Sequence, residues 1–169
     1  MKPMIIKYTN YTDGIHDFEF NEDARTVGLA EPLFGNVNLL VRMDRSHSQI
    51  VLNCTLTLNA KFECDRCDEE FTAELKNDFK LIYLFGSDPG ESKAVNLYYL
   101  TPEEDKIDLR PDVVDYAALS VPMKRLCKED CRGLCPNCGA NLNKEACNCT
   151  KEKVNPVWAP LLKLKNKSK

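Results

Sequence analysis

Histidine is nearly missing from this 169-residue chain: His16 and His47 are the only two, and both stand outside the cysteine clusters. Each reads as a surface or packed side chain. No serine–histidine–aspartate grouping, glycine-rich phosphate loop or paired-carboxylate motif stands out. The usual carriers of nucleophilic, phosphoryl-transfer and acid–base chemistry therefore have no candidates, and the expectation is a protein that is not an enzyme. The opening Met1-Lys-Pro-Met-Ile-Ile-Lys7 lacks an apolar signal core, and no membrane-length apolar run follows. A cytoplasmic location is expected, which argues against structural disulfides.

What the chain does have is cysteine. Eight of the nine fall in pairs: Cys64/Cys67 upstream, then Cys127/Cys131, Cys135/Cys138 and Cys147/Cys149 within one short stretch. A two-residue gap lets two thiolates bend around one ion, and Gly139 after Cys138 permits the tight knuckle such a turn needs. Four pairs make two all-cysteine zinc sites the leading arithmetic. The expected partition puts Cys135, Cys138, Cys147 and Cys149 on one Zn²⁺ and Cys64, Cys67, Cys127 and Cys131 on the other; the runner-up leaves Cys64/Cys67 free of metal. That pair also admits a thiol-redox or metal-handling reading, although such motifs normally open a helix, whose N-terminus lowers the thiol pKa. Cys54, on the inward face of a strand, reads as a buried thiol without chemistry.

The formal charge of -3 conceals an asymmetry. Residues 151–169 hold six lysines and one glutamate, so this end carries +5 and residues 1–150 carry -8. A basic tail on an acidic body makes any polyanion contact local, with Lys163, Lys165, Lys167 and Lys169 as the candidate RNA contacts. A solvated end is the competing reading. Trp158 reads as a packing anchor before a base-stacking residue. Lys124, Arg125, Lys128, Arg132 and Lys144 surround the cysteines, where their first role is to offset negative metal clusters.

The fold class expected is α+β: an antiparallel β-sheet body with short helices and a C-terminal cysteine-rich zinc ribbon. Val37, Leu39, Val41 and Met43 alternate with polar residues; after the turn Arg45-Ser-His-Ser48, so do Ile50, Leu52, Cys54, Leu56, Leu58, Ala60 and Phe62. Period two marks half-buried antiparallel strands. Phe71, Ala73, Leu75, Phe79, Leu81, Tyr83 and Phe85 keep one parity, which puts Cys64/Cys67 at the tip of a long hairpin. Short strands are expected over 14–20 and 96–100, irregular or briefly helical chain over 21–35, and an acidic turn over 101–106. Asp108-Leu-Arg-Pro111 reads as a capped helix start, with Val114, Ala117, Ala118 and Val121 packing inward until Pro122. The divisions expected are 1–122 for the body, 123–150 for the zinc-ribbon-like segment, and 151–169 for an amphipathic segment and basic tail.

Four ordered motifs resemble one family. Cys64-Asp-Arg-Cys67-Asp-Glu-Glu-Phe71, Ile107-Asp-Leu109 with its short helix and Val121-Pro122, and the run Leu126 to Gly139 with Asn141-Leu-Asn143 and Cys147-Asn-Cys149 make up three. The fourth is Asn155-Pro-Val-Trp-Ala-Pro-Leu-Leu-Lys-Leu-Lys165. Together they are similar to the YceD-like large-ribosomal-RNA-accumulation family over roughly residues 36–165. The resemblance implies a cytoplasmic bacterial accessory factor for large-subunit ribosomal RNA, with that RNA or a ribosomal protein as partner. It brings no catalytic residues.

Overall fold

The computed structural model describes residues 4–87, 90 and 95–149; Trp158, Lys163, Lys165, Lys167 and Lys169 lie outside that set. In chain order the elements are β1 (Ile5–Ile6), β2 (Gly14–Asp23), α1 (Ala24–Val27), β3 (Leu33–Arg45), β4 (Gln49–Glu63), β5 (Glu70–Phe85), β6 (Leu97–Leu100), β7 (Ile107–Asp108) and α2 (Arg110–Leu119). Five strands form one sheet in the order β2-β3-β4-β5-β6, and β1 pairs with β7 in a separate two-stranded ladder.

The alternation decides which face is buried. Val37, Leu39, Val41 and Met43 on β3, and Ile50, Leu52, Leu56 and Leu58 on β4, are at most 2% exposed. Each such side chain contributes about 1.5–3 kcal/mol by leaving water. Cys54 shares this face, and burial pushes its thiol up to about 12, so it stays protonated and inert. On β5 the inward slot at Asn77 is polar, and its amide donates to the Tyr116 carbonyl of α2 at 3.0 Å. The β4–β5 register runs without a break from Gln49↔Leu84 to Glu63↔Glu70, so the hairpin delivers Cys64 and Cys67 to its tip.

Three expectations change. The sheet is mixed rather than antiparallel: β6 runs parallel to β5, pairing Ile82↔Leu97 through Phe85↔Leu100. Four residues of alternation carry no direction, and the connection over 86–96 returns the chain to start beside Ile82. The second correction concerns Asp108, which belongs to β7 while Leu109 is the helix cap, with no side-chain capping bond. The Asp108 carboxylate still accepts the Arg110 amide at 3.1 Å and pairs with the Arg110 guanidinium. Third, α2 turns Val113 and Ala117 fully inward; Val114 and Val121 pack half-buried against the core as expected, but Ala118 is exposed. The Tyr116 ring stacks flat on Phe79 at 3.9 Å, and that contact sets the rotation of the helix.

That rotation also buries Asp112, 7% exposed, whose Oδ1 accepts the Tyr98 hydroxyl at 2.6 Å. Burial pushes the Asp112 carboxyl up, with the Tyr98 bond opposing it and Asp115 reinforcing it. A carboxyl raised in the folded state binds its proton better there than in the unfolded chain. Its contribution is therefore complete below the unfolded value and lost as pH rises through the folded one. Asp112→Asn keeps the acceptor and removes the charge. The variant should unfold at higher urea than wild type at pH 7, with the gap closing towards pH 4; a lower midpoint at pH 7 would contradict this.

Candidate metal centres

The chain after α2 folds back on the hairpin tip and is strapped there by backbone and charge. Asp65 and Arg125 bond reciprocally: the Asp65 amide donates to the Arg125 carbonyl at 2.8 Å, and the Arg125 amide donates to Asp65 Oδ2 at 2.6 Å. Arg66 Nη1 donates to the Cys131 carbonyl at 2.8 Å, while its own carbonyl accepts the Leu134 amide at 3.0 Å. Lys144 pairs with Glu69, and the Arg125 guanidinium lies 5.9 Å from the Phe62 ring centroid. Arg125 and Lys144 are thus committed to hairpin acids.

This strapping sorts the sulfurs. Cys64, Cys67, Cys127 and Cys131 form one group and Cys135, Cys138, Cys147 and Cys149 another, with the sulfurs of each within 4.8 Å of one another. In the first group Cys64–Cys131 is 3.8 Å and Cys67–Cys127 is 3.7 Å. In the second, Cys138–Cys147 is 3.4 Å and Cys135–Cys147 is 3.3 Å. Metal–sulfur bonds of about 2.3 Å in a tetrahedron require sulfur–sulfur edges of about 3.8 Å. Both groups approach that geometry, so the residues fit a divalent ion such as Zn²⁺. The structure does not bring Cys64 or Cys67 to the second group, nor Cys54 to either.

The two groups differ in cover. Cys64, Cys67 and Cys131 are at most 4% exposed, under Phe71 and Leu126. In the second group Cys135 is buried, but Cys138 and Cys149 are exposed. Backbone amides tune the thiols: the Cys127 N–H brings Cys64 down to about 6, and the Cys138 N–H does the same for Cys135. Burial, then the Cys67 side chain, pushes Cys127 up to about 12, and Cys149 rises to about 12 beside Cys147 and Cys138. Four crowded thiols cannot all ionise alone; a dication removes the conflict by balancing their charge.

Two residues within the resembling motif have roles that spacing does not show. Asn143 donates its side-chain amide to Cys131 Sγ at 3.3 Å and accepts the Arg132 amide at 2.9 Å, tying the second loop to a sulfur of the first group. Gly133, at φ +76°, lets the chain pass so close that a Cβ there would meet the Arg66 carbonyl oxygen at 2.9 Å. Gly139, the glycine that spacing singles out, also has positive φ, with its amide donating to the Cys135 carbonyl at 2.9 Å. The only β pairing among the described residues of 123–149 is the bridge Leu134↔Asn141. The segment is a pair of cysteine loops, with no ladder of the ribbon type.

A family model described as large ribosomal RNA subunit accumulation protein YceD matches residues 52–165, from β4 through both cysteine groups. The chain belongs to the YceD family. This YceD-family chain is 23% identical over 156 residues to large ribosomal RNA subunit accumulation protein YCED homolog 1, chloroplastic, of Arabidopsis thaliana, covering 77% of this chain and 47% of that one. It is 26% identical over 133 residues to an uncharacterized protein of Mycobacterium leprae, with 74% and 57% covered. A Mycobacterium bovis protein, also uncharacterized, is 23% identical over 128 residues, with 76% and 61% covered. The chain therefore spans about half to three-fifths of these relatives' lengths. No solved structure matches it. Among the described residues, no helix is long and apolar enough to cross a membrane.

Proposed function

We propose that this protein is a non-enzymatic, cytoplasmic accessory factor for large-subunit ribosomal RNA accumulation, fastened by two structural zinc ions. Membership of the YceD family and the name of the Arabidopsis relative support the role. The observation that carries the zinc reading is the sorting of eight sulfurs into two groups of four. Bound zinc supplies charge balance and a cross-link between hairpin tip and cysteine loops. Phe71 and Leu126 keep water from the first group, and Asn143 orients Cys131.

The depressed Cys64 thiol favours a thiol-redox alternative for Cys64/Cys67. Against it, Cys64 is 2% exposed and its neighbours are three further thiols at a hairpin tip rather than a helix N-terminus. Alkylation separates the two: thiols holding zinc react slowly, whereas a redox pair labels rapidly without chelator.

The role is tested by deleting the gene and measuring large- against small-subunit ribosomal RNA. A fall in that ratio, restored by wild type, is expected; an unchanged ratio would contradict the role. In the same assay, Lys163→Glu, Lys165→Glu, Lys167→Glu and Lys169→Glu together read the tail. If these lysines touch RNA phosphates, rescue fails, and binding to large-subunit RNA in vitro loses roughly 0.7–0.9 of salt slope per contact.

A further inference from the structure

The free edge of the large sheet is β2, and it is unusual for an edge. Its ladder with β3 is continuous over Gly14↔Arg45 to Asp23↔Asn36, without a register shift, and among the described residues no strand pairs with its other side. Ten residues at about 3.3 Å each present roughly 33 Å of unpaired backbone. Edges of this length are normally blunted by proline, a bulge or charged side chains. β2 has no proline and no bulge, and its charges are all acidic: Asp17, Glu19, Glu22 and Asp23. The opposite edge, β6, is protected by brevity at four residues.

The side chains flanking this edge specify what fits. On the inward side Phe18 and Phe20 are only half-buried, stacked at 6.4 Å, with Tyr11 edge-on to Phe18 at 5.1 Å. They form an apolar shelf that an added strand would cover. On the outward side Asp17 is matched by Arg42 and Asp23 caps α1, but Glu19 has no cation within ion-pair distance among the described residues; Glu22 lies half-buried on the inward side, following Phe20. A second copy would set β2 against β2 and oppose carboxylates, which is destabilising. RNA phosphates meet the same repulsion.

We infer that β2 is a docking edge for an extended cationic polypeptide segment, which joins the sheet as a sixth strand with lysine or arginine beside Glu19 and aliphatic side chains over Phe18 and Phe20. The inference is independent of the zinc reading and of the RNA-accumulation role.

The test uses the full chain and a labelled ten-residue peptide alternating lysine and valine, with blocked termini. Binding should slow hydrogen exchange at the outward amides of β2 by at least about tenfold and leave β6 unchanged. The same peptide N-methylated at alternate residues cannot complete a ladder and should not bind. Glu19→Lys should weaken binding at least about fivefold, and Glu19→Gln, which preserves shape, should weaken it less. Equal binding of the N-methylated peptide would reduce the contact to charge alone and overturn the proposal. So would absence of β2 protection, β2 protection by single-stranded RNA, or β2 protection through self-association without peptide.

Discussion

Chelating zinc is expected to melt residues 126–149 while β3, β4 and most of β5 stay folded. The cysteine loops have turn hydrogen bonds but a single β-bridge, and little apolar cover beyond Phe71 and Leu126, so metal binding is the main source of their folding free energy. The sheet has its own core in Leu39, Ile50, Leu52, Leu56 and Leu81, all fully buried. Hydrogen exchange should show the Cys135 and Gly139 amides losing at least about a hundredfold of protection, with Leu52 and Leu56 losing less than about tenfold. Residues 60–72 should fall between, because Cys64 and Cys67 tie the hairpin tip to the loops. Loss across 50–85 as large as that in the loops would contradict independent cores. Cys64→Ser should loosen the tip and Cys138→Ser should not, since the two belong to different groups.

Gly133→Ala is the second large effect expected. The left-handed conformation alone costs about 1–3 kcal/mol for a residue with a side chain. The new methyl also meets the Arg66 carbonyl oxygen at 2.9 Å, and backbone there cannot swing aside. The bond from the Leu134 amide to that carbonyl should break, loosening Cys131 from Cys64 and lowering zinc affinity at the first group by about tenfold or more. Gly139→Ala is the control: its φ is +74° but nothing lies within 4 Å, so it bears only the conformational cost. Competition with a chromophoric chelator compares them. Equal zinc retention in the two variants would show that the Arg66 contact matters little.

How far the sequence reads depends on how local the signal is. Thirteen residues of alternation from Ile50 define β4 and its buried face without any partner. Pairing Cys64/Cys67 with Cys127/Cys131 was legible because the other four cysteines close a set within one segment. The direction of β6 was not legible, since it depends on where the 86–96 connection lands. The β1–β7 ladder joins two strands of two residues each, too short to carry a pattern. Ala117, Val114 and Val121 pack as their spacing suggests, but Val113 replaces Ala118 on the inward face beside the Tyr116–Phe79 stack, and nothing in α2 announces a ring 37 residues away. Gly133 looked like any loop glycine; its role appears only when Arg66 is seen against it.

The most direct test of the two-site claim is zinc content of the purified chain together with X-ray absorption at the zinc edge. Two zinc ions per chain are predicted, each with four sulfurs at about 2.3 Å and no nitrogen or oxygen in the shell. Cys131→Ser and Cys135→Ser should each leave one four-sulfur site, and the double variant none. One zinc per chain in the wild type, or an average shell mixing sulfur with lighter atoms, would contradict the assignment.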